Sequence, residues 1–418
     1  MLLRQHTCLT LLALAAGLLG GAARADQAVQ TADKPLWSFS GFGSVGVVHA
    51  DDDQADFTSN VLKANGAGHS HSWSASVDSR IGAQLDLNLN KQWSAVLQMI
   101  SEQALDNSYR PIVEWANIKY QVTPELSVRL GRIALPMFLA ADYRKVGYAY
   151  PWVRTPVEVY GAIPISNSDG IDASYHWSSG AVKHVTQVFY GGSDIKLSGT
   201  ARAEARGLAG VSDSADYGAL SLRANVLSTN LTVDLARPLF DAFQRFGARG
   251  DAIAAQYDVN HKRALGVSVG FNYDPGNWFL MGELGRLNAK SFLGDKTAMY
   301  ASAGYRYRGF TPYLAYARVK SNGPTSDPGL SLAGLPPQLA GAAAALNANL
   351  NGLLSTVAIQ TTVSAGARWD VRENMALKLQ VDRVLPRDGS SGTLINVQPG
   401  FRSGQAVNVA SVVLDFVF

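Results

Sequence analysis

Cysteine is almost absent from this sequence, which contains a single one, Cys8, among 418 residues. Cys8 lies in an N-terminal segment, residues 1–25, with the pattern of an export signal peptide: a basic start, an apolar stretch from Leu9 to Leu19, and a small-x-small cleavage site at Ala23–Ala25. Removal of this segment leaves a mature chain, residues 26–418, without a thiol. Disulfide bonds, thiolate metal sites and thiol nucleophiles are therefore excluded.

Long hydrophobic runs are also missing. Beyond the signal peptide, no uninterrupted apolar stretch reaches the roughly 20 residues that a helix needs to cross a membrane. The sequence therefore predicts no helical membrane anchor. Net charge is small as well, because 36 Lys and Arg stand against 33 Asp and Glu, and loss of the two arginines in the signal peptide lowers the formal charge from +3 to +1. This balance does not indicate nucleic acid as a partner.

What the sequence does contain is an alternation of polar and apolar residues with a period of two, the pattern of a half-buried strand. It recurs in sixteen segments. They run at about Trp37–Ala50, Val77–Asn90, Trp93–Gln103, Pro111–Val122, Leu126–Ile133, Gly170–Ser178, Ala181–Gly191, Ala215–Leu227, Asn230–Arg237, Lys262–Tyr273, Trp278–Asn288, two on either side of Arg308–Gly309, Val357–Val371, Met375–Val384 and Val407–Phe418.

Each segment separates its polar and apolar residues onto two faces. In the second segment, Ile81, Leu85 and Leu89 fall on one face, and Gln84 and Asp86 fall on the other. A soluble β-sandwich shows the same pattern, so the connections must decide between the two. In the seventh segment the alternation does not tell which face is which.

The connections alternate between very short turns and long loops. With both termini on one side, every short turn falls on that side and every long loop on the other, as in an outer-membrane barrel. The sequence therefore predicts an all-β fold, a 16-stranded antiparallel transmembrane β-barrel with short periplasmic turns and long external loops, located in the outer membrane of a Gram-negative cell. Its polar face would line a water-filled lumen.

Several features occur in a characteristic order: the signal peptide, the opening Phe39–Gly43, the fifth-segment end Val128–Arg132, a long insertion after it, and Asp415–Phe418. In this order the chain resembles the Gram-negative porin family over essentially the whole mature chain. The resemblance implies a usually trimeric, passive diffusion channel for small hydrophilic solutes, surrounded by outer-membrane lipid and lipopolysaccharide. The insertion is more aromatic than the acidic loop of well-known porins, which indicates a less characterised branch.

In that family the third external loop folds into the barrel and narrows it, with acidic groups on the loop facing basic groups on the wall. The resemblance implies that residues 133–169 are this constriction loop within a single domain, residues 26–418. The predicted constriction residues are Asp142, Arg144, Lys145, Tyr148, Tyr150, Trp152, Arg154 and Glu158. The predicted wall residues are Arg80, Lys119, Arg129, Arg223, Arg306 and Arg368, together with Arg132 at a strand end where the alternation is ambiguous.

Two readings of the loop stay open at this stage. Its charges either create a transverse field that biases ion passage or pair with the wall and pin the loop in place. Its aromatic rings either pack against the wall or form a stacking track, in which case the channel would be selective for sugars, carboxylates or phosphate.

A second long loop, residues 320–356, is rich in Ala, Leu, Gly and Asn. The spacing of its leucines predicts a helix over Leu339–Leu354 in an external loop. This helix would either fold over the pore mouth or contact a neighbouring subunit.

The sequence predicts no catalytic residues, no enzyme activity, no metal site and no cofactor. One alternative is a Ca²⁺ or Mg²⁺ ion at the outer rim beside Asp51–Asp53, bridging lipopolysaccharide phosphates. His69 and His71 lack a third ligand in their loop. An adhesin or receptor, for which Arg249–Asp251 offers a short adhesion tripeptide, and a barrel enzyme are the remote alternatives.

Overall fold

The structure is a computed structural model that describes residues 35–161, 165–197, 199 and 201–418. The predicted signal peptide lies outside these residues. Sixteen long strands form one antiparallel sheet that closes on itself, which confirms the predicted barrel. The strands are β1 Trp37–Ala50, β2 Arg80–Asn88, β3 Trp93–Glu102, β4 Ile112–Gln121, β5 Leu126–Ala134, β6 Asn167–Ser179, β7 Val182–Lys196, β8 Arg202–Tyr217, β9 Leu220–Val233, β10 Lys262–Tyr273, β11 Trp278–Asn288, β12 Lys296–Tyr305, β13 Phe310–Ser321, β14 Gln360–Arg372, β15 Met375–Pro386 and β16 Val407–Val417.

The barrel closes between its first and last strands. β1 and β16 are antiparallel neighbours over nine consecutive residue pairs. Gly41 and Gly43 of β1 lie under the rings of Phe418 and Phe416, where a Cβ atom would come within 2.2 and 2.4 Å of a ring carbon. Only glycine leaves room for these rings, so the two glycines allow the aromatic end of β16 to pack on β1.

Large apolar side chains project outward from the barrel. Val45, Leu130 and Leu314 are 62, 64 and 65% exposed. Their chain neighbours point to the other side of the pleated sheet, toward the lumen. β7, the strand whose faces the sequence did not distinguish, follows the same rule. Phe189 is 5% exposed and points inward, whereas Tyr190 is 61% exposed and points outward. The exposed apolar belt is the exterior of a membrane-spanning barrel.

The region of β8 and β9 differs from the prediction, because the predicted segments Ala215–Leu227 and Asn230–Arg237 both fall largely in β9 and most of β8 was not predicted. The alternation favoured a turn at Ser228–Thr229, but these residues lie inside β9, and the turn is Gly218–Ala219. Gly218 has a φ of +59°, a left-handed conformation that favours glycine. β8 contains few large apolar residues, and a bulge interrupts its pairing between Arg206 and Ala209. Its alternation is therefore faint in the sequence.

Three helices form a cap at the long-loop end of the barrel. They are α1 Arg237–Gln244, α2 Gly247–Tyr257 and α3 Pro337–Leu354. Their apolar sides meet in one buried cluster that includes Phe243 and Leu350. α3 confirms the predicted helix, with proline at its first turn, whereas α1 and α2 were not predicted. Among the described residues, none of the helices has the length and apolar character needed to cross a membrane.

Candidate pore

The connection between β5 and β6 folds into the barrel, and we call its described residues, 135–161 and 165–166, the inner loop. Its Trp152 ring meets Tyr300 of β12 edge-on, with 5.5 Å between ring centroids, and its indole N–H donates to Ser302 Oγ at 2.9 Å. The cluster around them contains Leu135, Met137, Phe138, Tyr150, Val159 and Tyr160 from the loop and Phe189, Leu208, Leu227, Phe279 and Tyr313 from the wall. The inner loop therefore packs against β7 to β13 and fills that side of the lumen, as predicted for the third long loop.

Arg154 attaches the inner loop to the opposite part of the wall. Its guanidinium donates to both carboxylate oxygens of Asp78 at 3.0 and 2.7 Å and to Asp382 of β15 at 2.8 Å. It also donates to Ser411 Oγ of β16 at 2.6 Å. The Arg154 side chain is only 3% exposed. The two carboxylates balance the charge of this buried guanidinium. These contacts favour the pinning alternative for Arg154.

Lys378 of β15 attaches the inner loop from the wall side. Its ammonium donates to the backbone carbonyls of Gly147, Tyr150 and Trp152 at 2.7, 2.7 and 2.8 Å. Asp415 of β16 lies 2.8 Å from the same nitrogen, and both side chains are 0% exposed. The lysine thus holds one turn of the inner loop by three carbonyl groups. Lys378 is not among the predicted site residues, although its inward place in β15 follows from the alternation.

Two buried carboxylates complete the attachment. Glu158 of the inner loop accepts hydrogen bonds from Gln360 Nε2 at 2.6 Å and from the Thr362 hydroxyl, both on β14. Burial raises the pKa of the Glu158 carboxyl, and these hydrogen bonds oppose the rise. Glu283 of β11 accepts from the hydroxyl of Tyr160. Glu158 therefore anchors the inner loop to β14, in agreement with the pinning alternative.

Arg144 and Lys145 also have partners. Arg144 donates to the Tyr160 carbonyl at 3.0 Å. Lys145 forms an ion pair with Glu102 of β3, and Lys63 of the first long loop lies 3.9 Å from the same carboxylate. Burial lowers the pKa of the Lys63 ammonium to about 8. Arg144 therefore links two parts of the inner loop, and Lys145 attaches the loop to β3 at the mouth of the barrel.

Tyr148 shows how deeply the inner loop enters. Its hydroxyl donates to the carbonyl of Glu373 at 2.7 Å, in the short turn between β14 and β15. Arg368 of β14, a predicted wall cation, lies over the Tyr148 ring at 4.5 Å and donates to the Tyr150 carbonyl at 3.2 Å. The loop therefore reaches the short-turn end of the barrel, and Arg368 holds it there.

The remaining aromatic rings of the inner loop are packing residues. Tyr150, Trp152 and Tyr160 are 3, 3 and 1% exposed. A ring that stacks on a passing solute must present its face to water, and these three do not. The alternative of a solute track along these rings has no support in the structure.

An open space remains between the inner loop and the wall formed by β2 to β5. We call it the lumen cavity, and its volume is about 260 Å³. Most of its lining is polar, with one aromatic ring. The lining residues are Gln84, Asp86, Leu87, Asn88, Ser94, Ala95, Val96, Trp115, Asn117, Lys119, Arg129, Ala134 and Asp142.

Opposite charges face each other across the lumen cavity. Asp142 of the inner loop is 48% exposed and lies 3.8 Å from Arg223 of β9. Lys119 and Arg129 line the wall, and Arg129 also forms a two-pronged ion pair with Asp172 of β6 at 3.0 and 2.5 Å. Asp142 on the loop and Lys119 on the wall thus place opposite charges on the two sides of the cavity, while Asp86 adds an acid to the wall. Of the predicted loop charges, Asp142 is the one that lines it.

Three predicted wall cations lie away from the lumen cavity. Arg80 donates to a backbone carbonyl at 3.4 Å. Arg132 pairs with Asp169 at 2.7 Å, next to the break in alternation at Gly131, whose φ is +127°. Arg306 pairs at 2.7 Å with an acid in the short turn between β10 and β11. None of the three lines the lumen cavity, and their place on the pore wall stays a prediction; Arg80 lies opposite the buried Ser44, on the inward face of β2.

The acidic residues Asp51, Asp52 and Asp53 at the outer rim accept hydrogen bonds from nearby residues. Asp51 accepts from the backbone and side-chain nitrogens of Asn408 at 2.7 and 2.6 Å. Asp52 and Asp53 both accept from Gln54. In the described part of the chain, no three His, Cys, Asp or Glu residues are grouped to hold a metal ion. A calcium or magnesium ion at this rim stays a prediction.

The comparisons with known proteins agree on the architecture. The outer membrane channel DcaP of Acinetobacter baumannii superposes with a TM-score of 0.53 at 11% identity, covering 91% of this chain and 97% of that chain. An anion-selective porin from Comamonas acidovorans gives 0.52 at 14% identity, covering 91 and 99%. Salmonella typhi OmpF, in complex with daunomycin, gives 0.50 at 14% identity, covering 91 and 97%.

The chain has the fold of the Gram-negative outer-membrane porins. No family model matches the sequence, and no curated protein is significantly similar to it. At such low identities the porin likeness is one of fold. The channel itself must be argued from the lumen.

Proposed function

We propose that this protein is a passive, water-filled diffusion channel for small hydrophilic solutes, and that solutes pass through the lumen cavity. The observation that carries the proposal is the polar space between the inner loop and β2 to β5, with Asp142 on one side and Lys119 and Arg129 on the other. A membrane barrel with a dry interior would fill this space with apolar side chains.

The barrel is an outer-membrane protein of a Gram-negative cell. Its porin fold and its exposed apolar belt both require a bilayer around the strands. We propose that three copies associate through the outward face of β1 to β4, which carries no lysine or arginine among its alternating outward positions and exposes Val45 and Ile81.

The structure favours neither remote alternative. Arg249 of the adhesion tripeptide is held by Asp327 at 3.1 Å, and Gly250 is buried in α2. A histidine–aspartate pair, His184 and Asp213 at 3.0 Å, lies on outward positions of β7 and β8, away from the lumen cavity. We therefore propose transport without covalent chemistry.

Conductance in planar lipid bilayers tests the channel and the role of Asp142. The wild type is expected to conduct, and Asp142→Asn should shift the reversal potential in a salt gradient toward anions, because it removes the acid that opposes the wall bases. Competing sugars, carboxylates and phosphate, added one class at a time, would show whether one class blocks the current at low concentration.

Asp106→Asn is the matched control, since Asp106 is a solvent-exposed acid in an external loop. It should leave the reversal potential unchanged. Absence of current from correctly folded wild-type protein would reject the channel. An Asp142→Asn variant that conducts like wild type would reject the charge arrangement alone.

A further inference from the structure

One aromatic ring lines the lumen cavity, and it belongs to Trp115 of β4. Of the eight tryptophans in the chain, six others are at least 40% exposed, and Trp152 is 3% exposed within the packing of the inner loop. Trp115 is partly buried and does not belong to the cluster that packs the inner loop. Among the described residues, its ring has no aromatic or cation–π contact, and its indole N–H has no hydrogen-bond partner. The packing of the loop therefore does not account for a ring at this position.

The strand pattern directs this ring inward. On β4, Ile118 is 51% exposed and outward, whereas Asn117 is 7% exposed and inward. Trp115 lies two residues before Asn117 and shares its face. A bulge interrupts the pairing of β4 with β3 directly before Trp115, where the register shifts between Gln98 and Met99. Bulges re-aim side chains and are frequent beside functional sites, so the local backbone fits a ring that is directed into the cavity.

Polar side chains of β2 to β4 surround the ring. Gln98 of β3 lies directly opposite Trp115, and Gln84 of β2 lies opposite Gln98. Asp86 and Asn117 follow two residues further along β2 and β4, about 6.8 Å toward the short turns, and both line the lumen cavity. The ring therefore has hydrogen-bonding side chains beside it and below it.

These polar groups are held in place and keep part of their hydrogen-bonding capacity. Gln98 Nε2 donates to Gln84 Oε1 at 2.7 Å, and Gln84 Nε2 donates to the two carboxylate oxygens of Asp86 at 3.1 and 2.9 Å. A carboxylate has about four lone-pair sites, so Asp86 can accept from a ligand as well. Asn117 donates one side-chain N–H to the Arg132 carbonyl at 2.9 Å and can donate the other.

The charges of the lining balance each other. Two acids, Asp86 and Asp142, line the lumen cavity together with two bases, Lys119 and Arg129. A solute with a full charge of either sign gains little net attraction from such a lining. The lining therefore favours a neutral solute that can use the ring and the polar groups together.

A sugar ring matches the two kinds of group that the cavity offers. Its C–H groups form an apolar face, and its hydroxyl groups form a polar rim. The face of an indole ring carries partial negative charge and attracts the partially positive hydrogens of C–H groups. Carboxylate and amide side chains bind the hydroxyl groups. Pockets for small molecules combine apolar surface with a few placed polar groups in this way.

We propose that the lumen cavity contains a sugar subsite, in which the Trp115 indole stacks on the C–H face of a neutral sugar ring while Asp86 and Asn117 bind its hydroxyl groups. The subsite names a solute class for the proposed channel and rests on that proposal. It uses a ring of the wall, not the buried rings of the inner loop. The cavity volume of about 260 Å³ lies near the lower end of the range for small-molecule pockets, which fits a short sugar.

Block of the ion current by glucose in planar bilayers tests the subsite. Glucose should reduce the wild-type current saturably, because a bound sugar occupies the path of the ions. Trp115→Ala should raise the half-blocking concentration roughly tenfold, since alanine offers no ring face. Trp115→Phe keeps an aromatic face and should stay within about threefold of wild type.

Two controls are matched to this experiment. Trp369→Ala removes a ring from the outside of β14, which is 43% exposed, and should leave the block unchanged. Sorbitol has the hydroxyl groups of glucose but no ring, and should block much less at equal concentration. Equal block by sorbitol, or equal block of wild type and Trp115→Ala by glucose, would overturn the proposal. Stronger block by gluconate than by glucose would identify an anion site and would also overturn it.

Asp86→Asn keeps the test decisive if Trp115→Ala does not fold. It should weaken the block by roughly threefold or more, because a neutral amide oxygen accepts a hydroxyl hydrogen bond less strongly than a carboxylate; an unchanged block would count against the subsite. Calorimetry of glucose binding to the full chain in detergent separates the subsite from the channel. Binding that Trp115→Ala weakens, without any current in wild type, would reject the channel and leave the subsite standing. A conducting wild type that glucose neither binds nor blocks would reject the subsite alone.

Discussion

Lys378 and Arg154 show how two side chains fix a long loop inside a barrel. Both are buried cations. Lys378 of the wall binds carbonyl groups of the loop, and Arg154 of the loop binds carboxylates of the wall. Removing one member of a buried charge pair leaves the other without compensation, which costs more than the pair contributed. The anchoring of the inner loop therefore depends on single residues.

Lys378→Met tests this dependence. The change leaves Asp415 buried without its cation and three loop carbonyls without a donor, so the free energy of unfolding should fall by about 3–5 kcal/mol. Urea unfolding followed by tryptophan fluorescence measures it. Lys91→Met, in an exposed turn between β2 and β3, is the control and should stay within about 0.5 kcal/mol of wild type. Similar losses in the two variants would contradict the anchoring role.

The alternation of polar and apolar residues along each strand of this barrel reflects the surroundings of its two faces. Outward positions meet lipid and inward positions meet water or the inner loop, so two residues of equal size tolerate charge differently. Leu314 of β13 is 65% exposed on the outside, whereas Gln84 of β2 lines the lumen cavity.

Leu314→Arg should destabilise the barrel by about 2–4 kcal/mol if it lies near the bilayer midplane, because the charge enters hydrocarbon. Gln84→Arg places its charge in the water-filled lumen beside Asp86 and should cost much less. Reversible unfolding in lipid vesicles compares the two. Equal stability of the variants would contradict the assigned faces.

The strands could be predicted from the sequence because successive residues of a strand alternate between lipid and the barrel interior. This alternation leaves a pattern that is visible over a few neighbouring residues. β8 is the exception, since its faint alternation hid the turn at Gly218–Ala219. Which inner-loop residue faces the cavity could not be predicted. Arg154 and Glu158 read as lumen charges in the sequence, and only their contacts with Asp382 and Thr362 show otherwise. Such contacts join residues more than 200 positions apart in the sequence, and the alternation of neighbouring residues contains no information about them.

At the scale of the whole molecule, the first and last strands must meet for the lumen to be enclosed. Val47 of β1 and Val412 of β16 lie directly opposite each other and are both outward, at 42 and 46% exposed. Opposite residues of antiparallel strands have Cα atoms about 4.5–5.5 Å apart, within the range of a disulfide bond.

The double variant Val47→Cys and Val412→Cys, with Cys8 replaced by serine, should therefore form an intramolecular disulfide in an oxidising compartment. Blocked thiols in a maleimide assay of the denatured chain measure it. The pair Val47→Cys and Leu379→Cys is the control, because Leu379 lies opposite Val412 on β15, two strands from β1 and roughly 9.6 Å away. Bond formation in the control, or none in the test pair, would rule out the closed arrangement.

The many anchors of the inner loop bear on how the channel responds to voltage. The loop carries Asp142, Arg144, Lys145, Arg154 and Glu158, a net charge of one positive unit. Carrying one elementary charge across 100 mV yields only about 2.3 kcal/mol, whereas breaking a single buried ion pair costs about 3–5 kcal/mol. A potential of 100 mV is therefore too small to break even one of these contacts, and we expect the conductance of the proposed channel to stay open when voltage is applied.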